Sequence, residues 1–140
     1  MALNEAEKAF EEGEVPIGAV IVKNNTVISK ARNAGKRLND PTAHAELLAI
    51  RAACSLLESD RLPECHLYVT LEPCPMCLSA ISFARLSIVY YGASDHKSGG
   101  ISAGNGLFSA SALHHKPDYY DGFYEQESQQ LLKRFFAQRR

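Results

Sequence analysis

Residues 65–77 read CHLYVTLEPCPMC, and this stretch decides how the rest of the chain is interpreted. Its first seven residues, Cys65–Leu71, predict a strand that ends just before a cysteine motif. Pro75 then predicts the start of a helix, because proline is tolerated in the first helical turn. Cys74 and Cys77 stand three residues apart at that start. They therefore face the same way, and both sulfurs can bind one metal ion.

The sequence on either side predicts alternating strands and helices. The apolar run at 15–22 favours a buried strand, and the turn at 23–26 joins it to a second strand at 27–32. Residues 33–40 predict a polar loop, and residues 98–106, with four glycines, predict a mobile loop. Further strands are expected at 87–93 and 119–123, and helices at 3–13, from about 40 to 58, at 76–85 and at the C-terminus.

This order of elements predicts an α/β fold. We expect a three-layer α/β/α sandwich with a mixed five-stranded sheet, in a single domain that covers residues 1–140. Apolar residues make up 46% of the 140 positions, which is typical of a globular domain rather than a disordered chain.

Charge and hydropathy restrict the class of protein. The formal net charge is −1, so the chain gives no support for bulk electrostatic binding of nucleic acid, and such binding needs a local basic patch. No apolar stretch is long enough to span a membrane. The acidic N-terminus has no apolar core of a secretory signal, and a cytoplasmic location is expected. A C-x-x-C in such a chain is read as metal-binding or redox-active.

A histidine and a glutamate upstream favour the metal interpretation. His44 and Glu46 lie near the start of the predicted helix that begins at about residue 40. Both helix starts follow loops after sheet strands, which places them at one edge of the sheet. His44, Cys74 and Cys77 can therefore converge on one ion. Glu46, two positions from His44, does not share its helix face and is better placed to reach a bound water than to bind the metal.

Three protein ligands plus water are typical of a catalytic zinc site, and we expect one Zn²⁺ per chain. A fourth ligand would make the site structural. Cys65 is too far along its strand and Cys54 too far along its helix to serve, whereas His96, His114 and His115 stay open. Two other interpretations are that Cys74 and Cys77 form a redox-active dithiol, and that Glu46 only interacts favourably with the dipole of its helix.

The paired pattern H-x-E and P-C-x-x-C is the signature of zinc-dependent nucleobase deaminases. Four segments indicate which class of deaminase the chain resembles: GEVPIGAV at 13–20, DPTAHAE at 40–46, LYVTLEPCPMC at 67–77 and GASDHKSG at 92–99. From about Glu5 to the C-terminus, the chain resembles the bacterial tRNA-specific adenosine deaminases. The resemblance implies a cytidine deaminase-like fold, zinc-dependent deamination of the wobble adenosine to inosine, a tRNA anticodon stem-loop as partner, and a homodimer.

The resemblance also implies roles for individual residues. His44, Cys74 and Cys77 would hold zinc, Glu46 would shuttle protons, and Asn33 would hydrogen-bond the base. The implied walls of the base pocket are Val15, Pro16, Ile17, Ala43, Leu71, Glu72 and Pro73. Asp95 and Lys97 would lie near the RNA backbone and neighbouring nucleotides, and Phe135 and Phe136 would flank the RNA loop. The required basic patch would combine Lys97, Lys116, Lys133, Arg134, Arg139 and Arg140.

Two alternatives stay open. The first is a deaminase of a free base or nucleotide, such as guanine, cytosine or CMP, with the same zinc chemistry. The second is a non-catalytic zinc-stabilised interaction module in which another histidine completes the coordination.

Overall fold

The structure is a computed structural model that describes residues 1–102, 113 and 115–139. Its strands are β1 (Gly18–Lys23), β2 (Thr26–Arg32), β3 (Cys65–Leu71), β4 (Ile88–Ala93) and β5 (Asp118–Tyr120). Its helices are α1 (Ala2–Glu11), α2 (Gly35–Leu38), α3 (Ala45–Leu57), α4 (Pro75–Ala84) and α5 (Glu125–Ala137). None of these described helices is long and apolar enough to cross a membrane.

The five strands form the predicted mixed sheet, and their order in it is β2-β1-β3-β4-β5. β1 and β2 form an antiparallel hairpin that closes with the pair Lys23 and Thr26. Asn24 and Asn25 occupy its turn with φ of 52° and 61°, a conformation that asparagine tolerates better than most residues. β1 is also antiparallel to β3, whereas β3, β4 and β5 run parallel to one another. The predicted parallel connection from β3 through α4 to β4 is therefore present.

Helices cover both faces of the sheet and complete the three layers. Because side chains alternate along a strand, Ile21, Leu67 and Val89 face one side and are fully buried there with residues of α3 and α4. α1 and α5 pack against each other on the opposite side, where α1 contacts β1 and α5 contacts β4. The main core thus lies beneath α3 and α4, the two helices that carry the candidate ligands.

Several element boundaries differ from the predictions. β1 begins at Gly18 rather than at residue 15, and a Cβ at Gly18 would lie 2.0 Å from the Ala2 carbonyl oxygen of α1. α3 begins at Ala45 rather than near residue 40, because Asp40 forms a local turn in which its Oδ1 accepts hydrogen bonds from the Thr42 amide and hydroxyl. β5 ends at Tyr120 instead of residue 123.

The expected loop at 33–40 contains a short helix, α2. Its formation depends on a residue far away in sequence: the buried Glu14 carboxylate accepts hydrogen bonds from the Lys36 and Arg37 amides, at 3.1 and 2.7 Å. The mobile loop expected at 98–106 lies only partly within the described residues. Residues 98–102 are described and are held by hydrogen bonds, whereas residues 103–106 lie outside the described residues.

Candidate active site

Three predicted ligands converge where α3 and α4 begin. His44 and Cys74 are the residues that immediately precede these helices, each with extended backbone, and Cys77 lies one turn into α4. The His44 Nδ1 atom is 3.5 Å from the Cys77 Sγ and 3.7 Å from the Cys74 Sγ. The ligand atoms of all three side chains lie within 4.8 Å of one another. Two helix N-termini at one sheet edge therefore bring residues 30 positions apart into contact.

The spacing of these atoms fits zinc. Zn–S bonds of about 2.3 Å and Zn–N bonds of about 2.1 Å in a tetrahedral site separate the nitrogen from each sulfur by about 3.6 Å. The two observed distances bracket that value. In the part of the chain that the structure describes, no fourth histidine, cysteine or carboxylate joins the group. Three soft-to-borderline donors in this arrangement suit a zinc ion with one position left for water.

The other candidate ligands lie elsewhere. Cys65 belongs to the main core, and Cys54 packs against that core from the second half of α3. The His115 Nε2 atom is 2.7 Å from the Leu86 carbonyl oxygen, at the connection between α4 and β4. His96 lines the cavity beside the site without joining the ligand group. His114 lies outside the described residues.

The thiols of the two cysteines have pKa values that are shifted in opposite directions. Hydrogen bonds from the Cys77 thiol and from the His44 imidazole lower the pKa of Cys74 to about 4, although burial acts in the opposite direction. The pKa of Cys77 is raised because it donates to Cys74 and because it is buried. A metal that binds both sulfurs as thiolates must therefore displace the remaining proton.

Glu46 lies in the first turn of α3, two residues after the candidate ligand His44. Its side chain is buried, and its Oε1 atom has no hydrogen-bond partner among the described residues. Burial, with a contribution from the Cys74 thiolate, raises the pKa of Glu46 to about 7. A carboxyl group with such a pKa can both accept and release a proton near neutral pH.

Asn33 connects the end of β2 to the start of α3. Its Oδ1 atom accepts a 2.8 Å hydrogen bond from the Ala45 amide, one of the N–H groups that the helix itself leaves without a partner. Because this oxygen is already engaged, the group of Asn33 that is left to contact a ligand is its NH₂, which can only donate. Asn33 thus fixes the start of the helix that carries Glu46 and presents a hydrogen-bond donor.

A cavity of about 650 Å³ opens beside the site. His44, Glu46 and Cys74 are among the residues that line it. Eight of the residues predicted to contact substrate line it, namely Val15, Ile17, Asn33, Leu71, Glu72, Asp95, Lys97 and Phe136. The sequence did not point to four further lining residues, Ser94, His96, Ser98 and Leu132. Ser94, His96 and Ser98 could have been predicted, because they are sequence neighbours of Asp95 or Lys97.

Four predicted contact residues do not line the cavity. Pro16, Ala43 and Pro73 are buried, next in sequence to residues that line it. Phe135 is also buried and packs edge-on against Phe10 of α1, with ring centroids 6.0 Å apart. Only its neighbour Phe136, half exposed, reaches the cavity.

The expected basic patch is partly used to pack α5 against the rest of the chain. Arg134 lies over the Phe10 ring at 4.9 Å, and Arg139 lies over the Phe135 ring at 4.5 Å. Arg139 also donates a 2.8 Å hydrogen bond to the Gly13 carbonyl oxygen. Lys97 stands at the cavity, and Lys116 and Lys133 are exposed. Arg140 lies outside the described residues.

A three-layer sandwich that gathers one histidine, two cysteines and a buried glutamate at two helix starts defines a deaminase of the H-x-E and P-C-x-x-C class. The family model of MafB19-like deaminases matches residues 1–140. A tRNA-specific adenosine deaminase of Agrobacterium fabrum is 51% identical over 140 residues, which are 100% of this chain and 92% of that protein. The chain belongs to the family of tRNA-specific adenosine deaminases.

Solved structures agree with this assignment. One from a study of A-to-I editing by tRNA:A34 deaminases at the wobble position of transfer RNA is 53% identical, with a TM-score of 0.92, over 94% of this chain and 95% of that one. A guanine deaminase from Bacillus subtilis is 36% identical, with a TM-score of 0.65, over 99% of this chain and 88% of that one. The predicted cytidine deaminase-like sandwich is thereby confirmed.

Proposed function

We propose that this protein hydrolyses adenosine to inosine at the wobble position of a tRNA anticodon loop. The observation that carries the proposal is the buried carboxyl group of Glu46, whose Oε1 atom has no hydrogen-bond partner among the described residues, beside the His44, Cys74 and Cys77 cluster in the lining of a cavity of about 650 Å³. A proton carrier next to a zinc-type donor set is what hydrolytic deamination requires. The tRNA substrate is supported by the names of the relatives that resemble the chain along its whole length.

In this mechanism His44, Cys74 and Cys77 would hold one Zn²⁺ per chain, and the chemistry that this ion would supply is Lewis-acid activation of the water that hydrolyses the C6–amino bond of adenine. Glu46 takes the proton that this water loses and delivers it to N1 of the ring. A second transfer through the same carboxylate moves the remaining proton of that water, now on the oxygen bonded to C6, to the departing amino group, so that adenosine and water yield inosine and ammonia. Because the pKa of Glu46 is raised to about 7, both directions of transfer are accessible near neutral pH.

The remaining cavity residues orient the nucleotide. Val15, Ile17 and Leu71 offer apolar walls to the base, while the buried Pro16, Ala43 and Pro73 support these walls from behind. The Asn33 NH₂ group donates to an acceptor on the purine. Asp95, Lys97 and Phe136 lie where the neighbouring nucleotides and phosphates of the RNA loop enter, and Phe135 supports Phe136 from beneath. The protein acts in the cytoplasm, where its tRNA substrate is found, and as a homodimer.

A substrate comparison tests this proposal. We expect inosine to form on an anticodon stem-loop with adenosine at the wobble position, and not on the same stem-loop with that adenosine moved elsewhere in the loop. Free guanine is the necessary competitor, because a guanine deaminase shares 36% identity with this chain. Deamination of guanine, with none of the stem-loop, would contradict the proposal.

Variants of Asn33 separate its two functions. Asn33→Asp keeps an oxygen for the Ala45 amide but lacks the NH₂ donor, whereas Asn33→Ala loses both. We expect Asn33→Asp to lower kcat/KM by about tenfold or more while thermal stability is retained, and Asn33→Ala to lose in addition about 1 kcal/mol of stability, typical of a helix cap. Thermal unfolding and steady-state kinetics on the stem-loop measure both effects. Wild-type kinetics in Asn33→Asp would rule out a contact between Asn33 and the base.

A further inference from the structure

Glu72 is a buried carboxylate that the zinc chemistry does not use. It is 2% exposed, and its two oxygens accept four hydrogen bonds from one segment, residues 94–102. Oε1 accepts from the Asp95 amide at 2.9 Å and from the Ser102 hydroxyl at 2.5 Å. Oε2 accepts from the Ile101 amide at 2.9 Å and from the Ser102 amide at 2.7 Å. One side chain thus ties down both ends of the segment.

The same segment supplies one side of the cavity. Its residues 94–98 all line the cavity, and the Asp95 Oδ1 atom accepts hydrogen bonds from the Lys97 and Ser98 amides, which fix the turn between them. Gly99 completes the fit, because a Cβ there would lie 2.0 Å from Glu72 Oε2 and 2.6 Å from the Asp95 carbonyl oxygen. The segment therefore closes over the carboxylate without space for a side chain at this position.

We propose that Glu72 is a positioning residue that holds residues 94–102 in the conformation that receives the RNA. It lines the cavity, but both of its carboxylate oxygens are engaged by the segment, and it acts through the backbone of Asp95 and its neighbours. This inference rests on the proposed function for its RNA substrate. The hydrogen bonds themselves are independent of that substrate, so the two claims can be tested separately.

Glu72→Gln tests the role with almost no change in shape. The glutamine NH₂ must replace one carboxylate oxygen. If the NH₂ group takes the Oε1 position, it can donate to the Ser102 hydroxyl, but it then faces the Asp95 amide, which is also a donor. If it takes the Oε2 position, it faces two donors, the Ile101 and Ser102 amides. The Oε1 position costs fewer hydrogen bonds, so the Asp95 amide loses its partner.

We expect Glu72→Gln to raise KM for the stem-loop by about tenfold, while kcat stays within about twofold, since one charge-assisted hydrogen bond to the segment is lost. Zinc content should stay at one per chain. Amide hydrogen exchange should accelerate at Asp95 and its neighbours but not in the sheet. Gly99→Ala keeps the glutamate but places a Cβ against its carboxylate and so displaces the segment from it, and this variant should also raise KM.

Ser102→Ala is the matched control, because it removes the hydroxyl bond to Glu72 but keeps all three backbone bonds; its KM should stay within about threefold of wild type. In the double variant the glutamine NH₂ loses its acceptor, so the rise in KM should exceed the product of the single effects.

Unchanged KM and unchanged amide exchange in Glu72→Gln would overturn the proposal. So would accelerated exchange throughout the sheet, or a parallel loss of kcat and zinc. An inactive wild type would reject the RNA substrate, and exchange alone would then decide whether Glu72 positions the segment.

Discussion

Glu46→Gln is expected to lower kcat on the anticodon stem-loop by about 10²-fold or more, the usual contribution of general acid–base catalysis. Glutamine keeps the size of the side chain but cannot take up and release a proton. The side chain is buried and its Oε1 atom has no partner among the described residues, so the glutamine NH₂ can take the place of that atom without breaking a hydrogen bond there. Folding and zinc content should therefore be retained, which confines the effect to turnover.

The control for this variant is the same chemical change at an exposed position. Glu7 lies on the exposed side of α1, and Glu7→Gln should leave both kcat and KM unchanged. Single-turnover kinetics with saturating enzyme isolate the chemical step from binding and product release. Equal single-turnover rates in Glu46→Gln and wild type, at equal zinc content, would contradict the assigned role of Glu46 and favour a non-catalytic zinc module.

Cys77→Ser is expected to abolish zinc binding and with it deamination. Serine nearly preserves the shape of a residue that is fully buried, but its hydroxyl does not ionise in the range in which a thiol becomes the thiolate ligand. Only His44 and Cys74 then remain as ligands. We expect the zinc content to fall from one per chain to less than about a tenth of that after dialysis, with activity lost in proportion.

Cys54→Ser supplies the matched control. Cys54 is half-buried in the second half of α3 and does not belong to the ligand group, so this variant should bind one zinc and turn over at the wild-type rate. Zinc is quantified by atomic absorption on the purified, dialysed proteins. Full zinc content in Cys77→Ser would show that Cys77 is not a ligand, and zinc loss in Cys54→Ser would show that the site was assigned to the wrong cysteines.

Local sequence predicted the elements whose own residues favour one conformation. β3 was predicted residue for residue as Cys65–Leu71, and the asparagine turn and the helix start at Pro75 were also confirmed. These features depend on side-chain alternation and on backbone preferences of Asn and Pro, which act over a few residues. The start of α3 was predicted about five residues early, because the Asp40 turn competes with helix formation there.

Longer-range contacts could not be predicted in this way. The sequence assigned Glu72 to the wall of the base pocket, whereas the structure shows it also binding a segment some 30 positions later. For Arg134, Arg139 and Phe135 the sequence predicts a place beside the RNA loop, and the structure adds contacts that it did not predict: these residues pack α5 against α1 and the following turn. A basic and aromatic helix end has the same composition whether it faces RNA or a neighbouring helix.

The sequence by itself determined the donor set of this protein: one histidine, two cysteines three residues apart, and a glutamate that cannot share the histidine's helix face. Spacing along a single helix turn is a local property, so it can be read directly from the sequence. Only the tertiary structure brought His44 to within 3.7 Å of both sulfurs, buried Glu46 with no partner for its Oε1 atom in the part of the chain that is described, and closed residues 94–102 over Glu72. Those arrangements depend on the order of strands in the sheet, which places two distant helix starts at one edge.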